Sequence, residues 1–393
     1  MSAPLERPTI LYFGNDWMAE NRTSSHHVAR WLAKRYDVIY VESPGLRAPK
    51  GTGRDVRKLL SKVGLALRGP RATPEGLHVQ TLLQIPLHGS QLVRLANRHL
   101  IRATLRLLMR LRGVRRPLTW FVVPHLASVV GELDERFSVY YCIDDYAALP
   151  DVDVEAVRQM DETLTRKADL VFVASGMLLE GKRALNPNTH VSPHGVDYDH
   201  FVKAQDPALP IPADIAHLKG PIIGFFGLIE RWIELSLVRY LAEQRPHWNF
   251  LMIGRIAVPE AEVPRLPNIH FIGRRPYDTL PAYGKAFTAA IIPYHLTQQV
   301  INSNPIKLRE YLAMGKPIVS VSAPEIDKFA EVVAIARTRE EYLAALDRAV
   351  ASGLSDEQRA RQTALAQSMT WDANLTRVMS LVEEQLAARD RNP

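Results

Sequence analysis

The stretch that decides the fold runs from Thr9-Ile-Leu-Tyr-Phe-Gly14 through Ser24–Lys34 to Asp37-Val-Ile-Tyr-Val-Glu42. The first run is short, apolar and ends in glycine, which predicts a buried parallel strand. The second carries apolar residues at helical spacing behind two serines that can cap a helix. The third predicts another strand. This order of strand, loop, helix and strand is the opening of a doubly wound α/β domain.

The same alternation continues through the first half of the chain. Apolar runs predict strands at Leu118–Val123, Ser138–Ile143 and Leu170–Ala174. Helical periodicity predicts helices over Gln91–Arg112 and Val154–Lys167. The first half is therefore expected to form one Rossmann-like domain.

The alternation restarts after residue 220. It predicts strands and helices in the order Pro221–Gly227, Glu234–Gln244, Asn249–Gly254, Ile269–Gly273, Leu280–Phe287, Ala289–Pro293, Lys307–Met314 and Pro317–Val321. A segment with three prolines, Lys203–Lys219, is the expected linker. We therefore predict an α/β protein with two doubly wound domains, 1–205 and 206–372. A C-terminal helix over 373–393 is expected to pack back toward the first domain.

Length and composition agree with two soluble domains. The chain has 393 residues, 47% of them hydrophobic and 23% charged, which suits two cores and excludes a disordered protein. The single cysteine, Cys142, excludes a disulfide framework. No apolar run approaches the ~20 residues of a membrane span, and the first residues show no signal core. The expected location is the cytoplasm, with any membrane contact peripheral.

Positive charge is concentrated in one region. Residues 47–116 contain 16 Lys or Arg against two acids, whereas the whole chain carries a net charge of only +7. Such local basicity indicates a surface for an anionic partner, either a membrane or a nucleic acid. The region has no Phe, Tyr or Trp for base stacking, so nucleic acid is not the expected partner.

Within this region the predicted helix Gln91–Arg112 has an arginine at every fourth position. At this spacing the five side chains form a stripe roughly 160° wide, and leucines fill much of the remaining surface. A basic face on an apolar body is typical of a helix in a lipid interface. The alternative is a helix that packs on the sheet with a solvated arginine face. The stripe consists of Arg94, Arg98, Arg102, Arg106 and Arg110.

The segment Ser303–Gly315 has the pattern of a site for a nucleoside diphosphate. A polar loop that includes Ser303 and Asn304 leads into a helix, and helix N-termini attract phosphate. Lys307 adds a charge in the first turn. Glu310, three residues on, lies on nearly the same face and can accept hydrogen bonds from ribose hydroxyls. The alternative is a capped surface helix with a Lys–Glu pair.

The loop after Pro221–Gly227 extends the same site. A glycine at a strand end, here Gly227, lets a diphosphate approach the backbone closely. Arg231 is a second candidate for phosphate contact, with an exposed loop arginine as the alternative. Tyr294, just past another strand end, is expected to line the donor side of the cleft, or else to pack within its loop.

Several motifs together resemble bacterial group 1 glycosyltransferases of the GT-B fold that act in polysaccharide assembly. They are His194-Gly-Val-Asp197, Leu266–Gly273, Asn304-Pro-Ile-Lys307-Leu-Arg-Glu310 with Gly315, and Trp371 before an amphipathic helix. The resemblance implies two Rossmann-like domains that face a central cleft, and a hexosyltransferase with a nucleotide-sugar donor, a UDP-sugar being favoured. It implies a lipid-linked saccharide acceptor for exopolysaccharide or cell-envelope glycan synthesis at the inner face of the membrane. It implies no metal and no cofactor.

One position departs from the family pattern. Retaining members often carry two glutamates with seven residues between them, and the first contacts the transferred sugar. Eight positions before Glu310 the chain has Asn302. The departure leaves the sugar open and favours an inverting reaction.

An inverting enzyme needs a general base, and the segment Val139–Tyr146 supplies carboxylates at a strand end. Adjacent acids such as Asp144 and Asp145 repel each other, which raises the pKa of one of them. The segment is similar to the strand-end catalytic aspartate of xanthan-type glucuronosyltransferases, which would correspond to Asp145. The alternative is that both aspartates cap the following segment.

A second strand-end loop gives two further candidates. Arg22 is a candidate for acceptor or phosphate contact, and His26 is a third candidate for catalysis. A lone histidine on a helix is, however, more often structural. Asp151-Val-Asp153 has the spacing of a metal motif but opens a helix, where acids serve as caps. No metal site is expected.

Other functions stay open at this stage. A nucleotide-sugar epimerase of the same fold would need no acceptor surface, which the basic region argues against. A non-catalytic scaffold, a sugar-binding relic or a basic nucleic-acid-binding protein is the alternative outside enzymes.

Overall fold

The computed structural model describes residues 8–18, 23–42, 64–66, 69–83 and 91–391, without the side chains of Gln91 and Arg94. The chain divides into two compact units. We call Met1–Pro193 with Leu375–Pro393 the N-terminal unit and His194–Asn374 the C-terminal unit. The domain limits at residues 205 and 372 remain predictions.

The described part of the N-terminal unit is built on an eight-stranded sheet in the order β3-β4-β2-β1-β5-β6-β7-β8. Only β3 pairs antiparallel, and the other strands are parallel. The strands are β1 (Thr9–Gly14), β2 (Asp37–Glu42), β3 (Arg71–Ala72), β4 (His78–Thr81), β5 (Leu118–Phe121), β6 (Phe137–Cys142), β7 (Leu170–Val173) and β8 (Thr189–Val191). The helices are α1 (Ser24–Ala33), α2 (Gln91–Arg112), α3 (Val154–Lys167) and α4 (Leu179–Leu185).

The inner strands of this sheet are buried on both faces, as their continuous apolar runs predict. On one face Tyr12 stacks on Tyr40 with ring centroids 5.1 Å apart, and Trp120 continues the row at 6.5 Å. On the other face Phe13 stacks on Phe121 at 4.4 Å. These large side chains hold β1, β2 and β5 together at the centre of the unit.

The C-terminal unit has a six-stranded parallel sheet in the order β11-β10-β9-β12-β13-β14. Its strands are β9 (Ile222–Phe226), β10 (Asn249–Ile253), β11 (Ile269–Gly273), β12 (Ala289–Ile292), β13 (Ile318–Val321) and β14 (Ala334–Ala336). Its helices are α5 (Tyr198–Phe201), α6 (Leu235–Gln244), α7 (Leu280–Ala286), α8 (Gln298–Asn302), α9 (Ile306–Ala313), α10 (Pro324–Asp327), α11 (Arg339–Ser352) and α12 (Asp356–Ser368). The last helix, α13 (Trp371–Arg391), begins here and belongs to the N-terminal unit from Leu375 onward.

Both sheets change direction beside their first strand. In the C-terminal unit β9 lies between β10 and β12, and in the N-terminal unit β1 lies between β2 and β5. Ligands of open α/β sheets bind beyond the carboxyl ends of the strands at such a switch point. The loops after β1, β9 and β12 are therefore expected to form the ligand-binding sites of the two units.

The predicted fold class is confirmed, and every strand and helix predicted above is present within one or two residues of its limits. The sequence did not reveal β3, β4, β8 or β14, which are two to four residues long and too short for a clear periodicity. No helix in the described ranges combines the length and apolar composition needed to span a bilayer.

Candidate active site

The first turn of α9 brings Lys307 and Glu310 together. The Lys307 Nζ donates a hydrogen bond to Glu310 Oε2 over 2.8 Å, and the Glu310 side chain is only 4% exposed. The same ammonium lies 4.8 Å from the ring centroid of Phe226, the last residue of β9. The pair is thus formed on one helix face, beside the switch point of the sheet.

Opposing effects act on the pKa of the buried Glu310 carboxyl, and their net result is a raised pKa. Burial raises the pKa of Glu310, and nearby Asp197 raises it further, while Lys307 opposes both by its charge and its hydrogen bond. Without Lys307 the carboxylate would face burial alone, which disfavours the charged form. The lysine therefore presents a cation and donates a hydrogen bond to Glu310.

Two glycines shape the backbone at the ends of β9 and β10. Gly227 and Gly254 have φ angles of 154° and 155°, which side chains rarely tolerate. A Cβ on Gly254 would overlap the carbonyl oxygen of Gly227, and one on Gly227 would lie 3.3 Å from the Lys307 Cε. Gly227 is therefore adjacent to the first turn of α9, as the sequence predicts, and the loop leaves room there.

Tyr294 and Arg231 occupy different surroundings. Burial raises the pKa of Tyr294, and Glu310 is the second cause, so Tyr294 lies near the α9 pair. It also lines a pocket of about 520 Å³ at the carboxyl ends of β13 and β14. Arg231 is exposed and lines a wider groove of about 1160 Å³ together with His295. None of the contacts seen for Arg231 joins it to Lys307 or Glu310.

The loop before α9 uses its polar side chains within the protein. Ser303 Oγ donates to the carbonyl oxygen of Val300 at 2.9 Å. Asn304 is buried; its Oδ1 accepts from the His194 N–H at 3.3 Å, and its Nδ2 donates to Glu325 Oε2 at 2.9 Å. Both residues lie where the sequence predicts, at the start of α9, but their side chains are engaged in internal hydrogen bonds.

The motif His194–Asp197 packs at the same place. A Cβ on Gly195 would lie 2.6 Å from the backbone nitrogen of Trp371, so glycine is required for this close approach. Burial lowers the pKa of His194 to about 3, with Arg309 as a second cause, and the ring is neutral at pH 7. Asp197 Oδ2 accepts a hydrogen bond of 3.3 Å from the Tyr277 hydroxyl. The sequence alone gave no role to two further residues: Asp197, which influences the pKa of Glu310, and Glu325, which accepts a hydrogen bond from Asn304.

Asp144 and Asp145 follow β6 in the N-terminal unit and are half-buried. Asp144 Oδ1 accepts from the Asp145 N–H at 2.9 Å. Asp145 begins the 3-10 turn Tyr146–Ala148, but its side chain does not cap that turn. Asp144 thus bonds the backbone of its neighbour, and the turn has no side-chain cap from Asp145.

A buried polar cluster contacts β6 through Tyr140. Lys182 Nζ pairs with Asp161 and donates to Thr165 Oγ1 at 3.1 Å, while the Tyr140 hydroxyl donates to Asp161. Burial lowers the pKa of Lys182, but negative groups that include Asp161 and Asp145 outweigh it, and the net shift is upward. The Lys182 ammonium is thus held in place near β6 and interacts electrostatically with Asp145.

His26 is held by hydrogen bonds on both ring nitrogens. Its Nδ1 accepts from the Thr23 N–H at 3.1 Å, and its Nε2 lies 3.2 Å from the Asp16 carbonyl oxygen. Burial lowers the pKa of this histidine. His26 thus completes the N-terminal cap of α1. Arg22 lies outside the described residues.

Asp151 and Asp153 lie just before α3, and Asp153 is its N-cap residue. Asp153 Oδ1 accepts from the Ala156 N–H at 3.1 Å and caps α3. Within the described ranges, no group of three or more His, Cys, Asp or Glu is placed to hold a metal ion.

The arginine stripe on α2 is partly used inside the N-terminal unit. Arg98 and Arg102 both pair with the carboxylate of Glu132, and Arg106 donates to its carbonyl oxygen at 2.9 Å. Arg110 is exposed, and nothing is described for the side chain of Arg94. The outer face of α2 instead carries leucines that are 42% to 80% exposed: Leu92, Leu95, Leu100, Leu107 and Leu111.

Solved structures with the same architecture include glycosyltransferases of the GT-B fold. Sucrose-phosphate synthase of Thermosynechococcus elongatus superposes with a TM-score of 0.69 at 15% identity over 97% of this chain and 100% of that one. Escherichia coli OtsA bound to UDP-2-fluoro glucose gives 0.67 at 12% identity over 96% and 98%. Anabaena HepE in complex with UDP-glucose gives 0.65 at 14% identity over 97% and 100%. The fold is therefore GT-B.

The sequence comparisons match a glycosyltransferase domain. Residues 220–354 match the model of the glycosyl transferases group 1 family. TuaH of Bacillus subtilis, named as a glycosyltransferase of teichuronic acid biosynthesis, is 25% identical over 225 residues, which are 53% of this chain and 56% of that protein. The resemblance to GT-B group 1 glycosyltransferases is confirmed: the chain has the GT-B fold, and residues 220–354 of its C-terminal unit match the group 1 domain. The match spans little more than half the length of TuaH.

Proposed function

We propose that the protein is a glycosyltransferase that binds a nucleotide sugar, with UDP-sugars favoured, in its C-terminal unit. The observation that carries the proposal is the Lys307–Glu310 pair on the first turn of α9, beside Gly227 at the end of β9. The donor complexes of OtsA and HepE, which contain UDP-2-fluoro glucose and UDP-glucose, support the class of ligand.

The chemistry of the pair suits the two halves of a nucleoside diphosphate. The free N–H groups of the α9 N-terminus and the Lys307 ammonium attract phosphate oxygens. Gly227 leaves room for these oxygens to approach the backbone. The oxygens of Glu310 can accept hydrogen bonds from the two ribose hydroxyls. Tyr294 is assigned to the donor side because it lies near Glu310, while Arg231 remains a candidate for phosphate contact.

Lys307→Ala and Glu310→Ala are each expected to weaken the binding of uridine diphosphate by about 1.5–3 kcal/mol, the range for hydrogen bonds to charged groups. Isothermal titration calorimetry measures this effect. Arg361→Ala removes a cation from an exposed pair with Glu331 in the same unit and serves as the control. Unchanged affinity in both site variants would refute the assigned donor site.

For the chemical step we propose an inverting transfer without a metal, in which Asp145 removes the proton from the acceptor hydroxyl. Asp145 follows the buried strand β6, at the carboxyl end where ligands of α/β sheets bind. The Lys182–Asp161 pair bonds Tyr140 of β6 and so helps to fix the strand that precedes Asp145. A catalytic group must be held in a fixed position. Asp144 is the alternative base. His26 is less suited, because both of its ring nitrogens are engaged.

For the acceptor we propose a lipid-linked saccharide, used at the cytoplasmic face of the membrane in the synthesis of an exopolysaccharide or cell-envelope glycan. The name of TuaH, which refers to teichuronic acid biosynthesis, supports a polymer product. The exposed leucines of α2, interspersed with Arg106 and Arg110, form a basic apolar face suited to a lipid interface.

The membrane proposal predicts binding that depends on anionic lipid. Replacing Arg106 and Arg110 by glutamine is expected to weaken association with phosphatidylglycerol vesicles by roughly 2 kcal/mol, about 1 kcal/mol for each charge. Leu107→Gln with Leu111→Gln should weaken it as well, since the apolar contact is lost. Co-sedimentation at low and high salt measures both effects.

Arg98→Gln with Arg102→Gln is the matched control, because these arginines pair with Glu132 and should contribute less to lipid binding. Equal binding to neutral and anionic vesicles, or no binding at low salt, would leave α2 as ordinary domain structure.

A further inference from the structure

Asn304 is held from two sides by buried partners on other segments of the C-terminal unit. Its Oδ1 accepts the backbone N–H of His194, and its Nδ2 donates to the carboxylate of Glu325. The two partners lie 110 residues before it and 21 residues after it in the chain. With both sides of its amide engaged, Asn304 is poorly placed to contact a ligand directly.

Glu325 is itself fixed by positive charge. Its side chain is 4% exposed, and its Oε1 accepts from Lys328 Nζ over 2.6 Å. The guanidinium of Arg309 is buried nearby; burial lowers its pKa to about 10, and Glu325 opposes that shift. A carboxylate with two cations around it is a strong acceptor for the Asn304 amide.

The position of Asn304 in the chain gives this arrangement a consequence. Asn304 directly precedes Pro305, the N-cap residue of α9, and Lys307 follows within the first turn. Arg309 Nη1 contacts the Pro305 carbonyl oxygen at 3.4 Å, so the turn is tied down from its other end as well. The loop conformation therefore determines where the first turn of α9 lies.

We propose that the His194 N–H, the Asn304 amide and the Glu325 carboxylate form a latch that positions the first turn of α9 for the nucleoside diphosphate. In this role Asn304 and Glu325 are positioning residues, and Asn304 does not contact the donor. The proposal rests on the donor site assigned above. It adds to that site a reason for its affinity, because a turn that is ordered in advance loses less entropy when the ligand binds.

An exchange of donor and acceptor within the latch tests this. Asn304→Asp places a second carboxylate against Glu325, and should weaken uridine diphosphate binding about tenfold or more, since a buried hydrogen bond becomes a repulsion. Adding Glu325→Gln restores the bond in reverse: the new amide donates to the new carboxylate, its oxygen still accepts from Lys328, and the His194 N–H keeps its acceptor. The double variant should recover to within about threefold of the wild-type affinity.

Glu325→Gln alone is the second informative variant, since it leaves Asn304 intact and opposes two amide donors. If the latch positions the turn, Glu325→Gln binds uridine diphosphate more weakly than the wild type. If Asn304 instead contacts the donor directly, the affinity of Glu325→Gln is unchanged. Asn268→Asp is the control: it removes a partly buried amide donor that bonds the Ala242 and Arg245 carbonyl oxygens, and should leave affinity unchanged. Calorimetry is run well below the melting temperature of every variant.

The outcomes separate the two proposals. Recovery in the double variant supports the latch. Equally weak binding by Asn304→Asp and the double variant, or full affinity in Asn304→Asp, overturns the latch while the donor site stands. No binding of uridine diphosphate by the wild-type protein would instead overturn the proposed function on which the latch rests.

Discussion

Asp145→Asn is expected to lower turnover by about two to four orders of magnitude, the usual contribution of a general base. Asparagine has nearly the same shape as aspartate but cannot accept the proton of the acceptor hydroxyl. Because the shape of the side chain is kept, the fold should survive the change. Donor binding, assigned to the C-terminal unit, should stay at the wild-type level, and steady-state rates with calorimetry measure the two effects separately.

The control for this prediction is Asp151→Asn, an exposed aspartate with a φ of 60°, a conformation that asparagine also adopts readily. It should keep wild-type turnover. Near-normal turnover in Asp145→Asn would remove Asp145 from the mechanism and make Asp144 the leading candidate. The anomeric configuration of the product, determined by NMR, decides separately between inversion and retention.

Gly254→Ala should destabilise the protein by about 3 kcal/mol or more, because two costs add. The φ of 155° is one that non-glycine residues adopt only under strain of about 1–3 kcal/mol. The added methyl group would also overlap the Gly227 carbonyl oxygen, so the loop beside Lys307 must shift. Denaturant unfolding measures the loss of stability, and calorimetry should show weaker uridine diphosphate binding in the folded fraction.

Gly273→Ala separates the two costs. Gly273 has a φ of 73° but open space where a Cβ would lie. This variant is therefore destabilised only by the strained backbone conformation, by about 1 kcal/mol. It should keep its affinity for uridine diphosphate. Equal destabilisation by both variants would show that the contact between Gly227 and Gly254 has no energetic weight.

Much of the fold was predictable because its strands are buried on both faces. Runs such as Ile10–Phe13 and Phe250–Ile253 are apolar throughout, and a glycine follows each of them. The Lys307–Glu310 pair was predictable for a similar reason: a spacing of three on a helix places two side chains on one face whatever surrounds them.

The contacts of Asn304 and Arg98 were not predictable, because they depend on distant segments. Nothing in the local sequence shows that Asn304 meets His194 and Glu325, or that a single carboxylate, Glu132, pairs with two arginines of the α2 stripe. Spacing gives the direction of a side chain from its own helix. It gives no information about which residue of another element lies opposite.

The measurement that tests the central claim most directly is a donor-hydrolysis screen over a panel of nucleotide sugars, read by mass spectrometry. The wild-type protein should release a nucleoside diphosphate and a free sugar from at least one donor, with UDP-sugars first. Glu310→Ala should lose most of this activity, because the variant lacks the acceptor for the ribose hydroxyls. Release of no sugar from any donor, together with no nucleoside diphosphate binding, would contradict a glycosyltransferase.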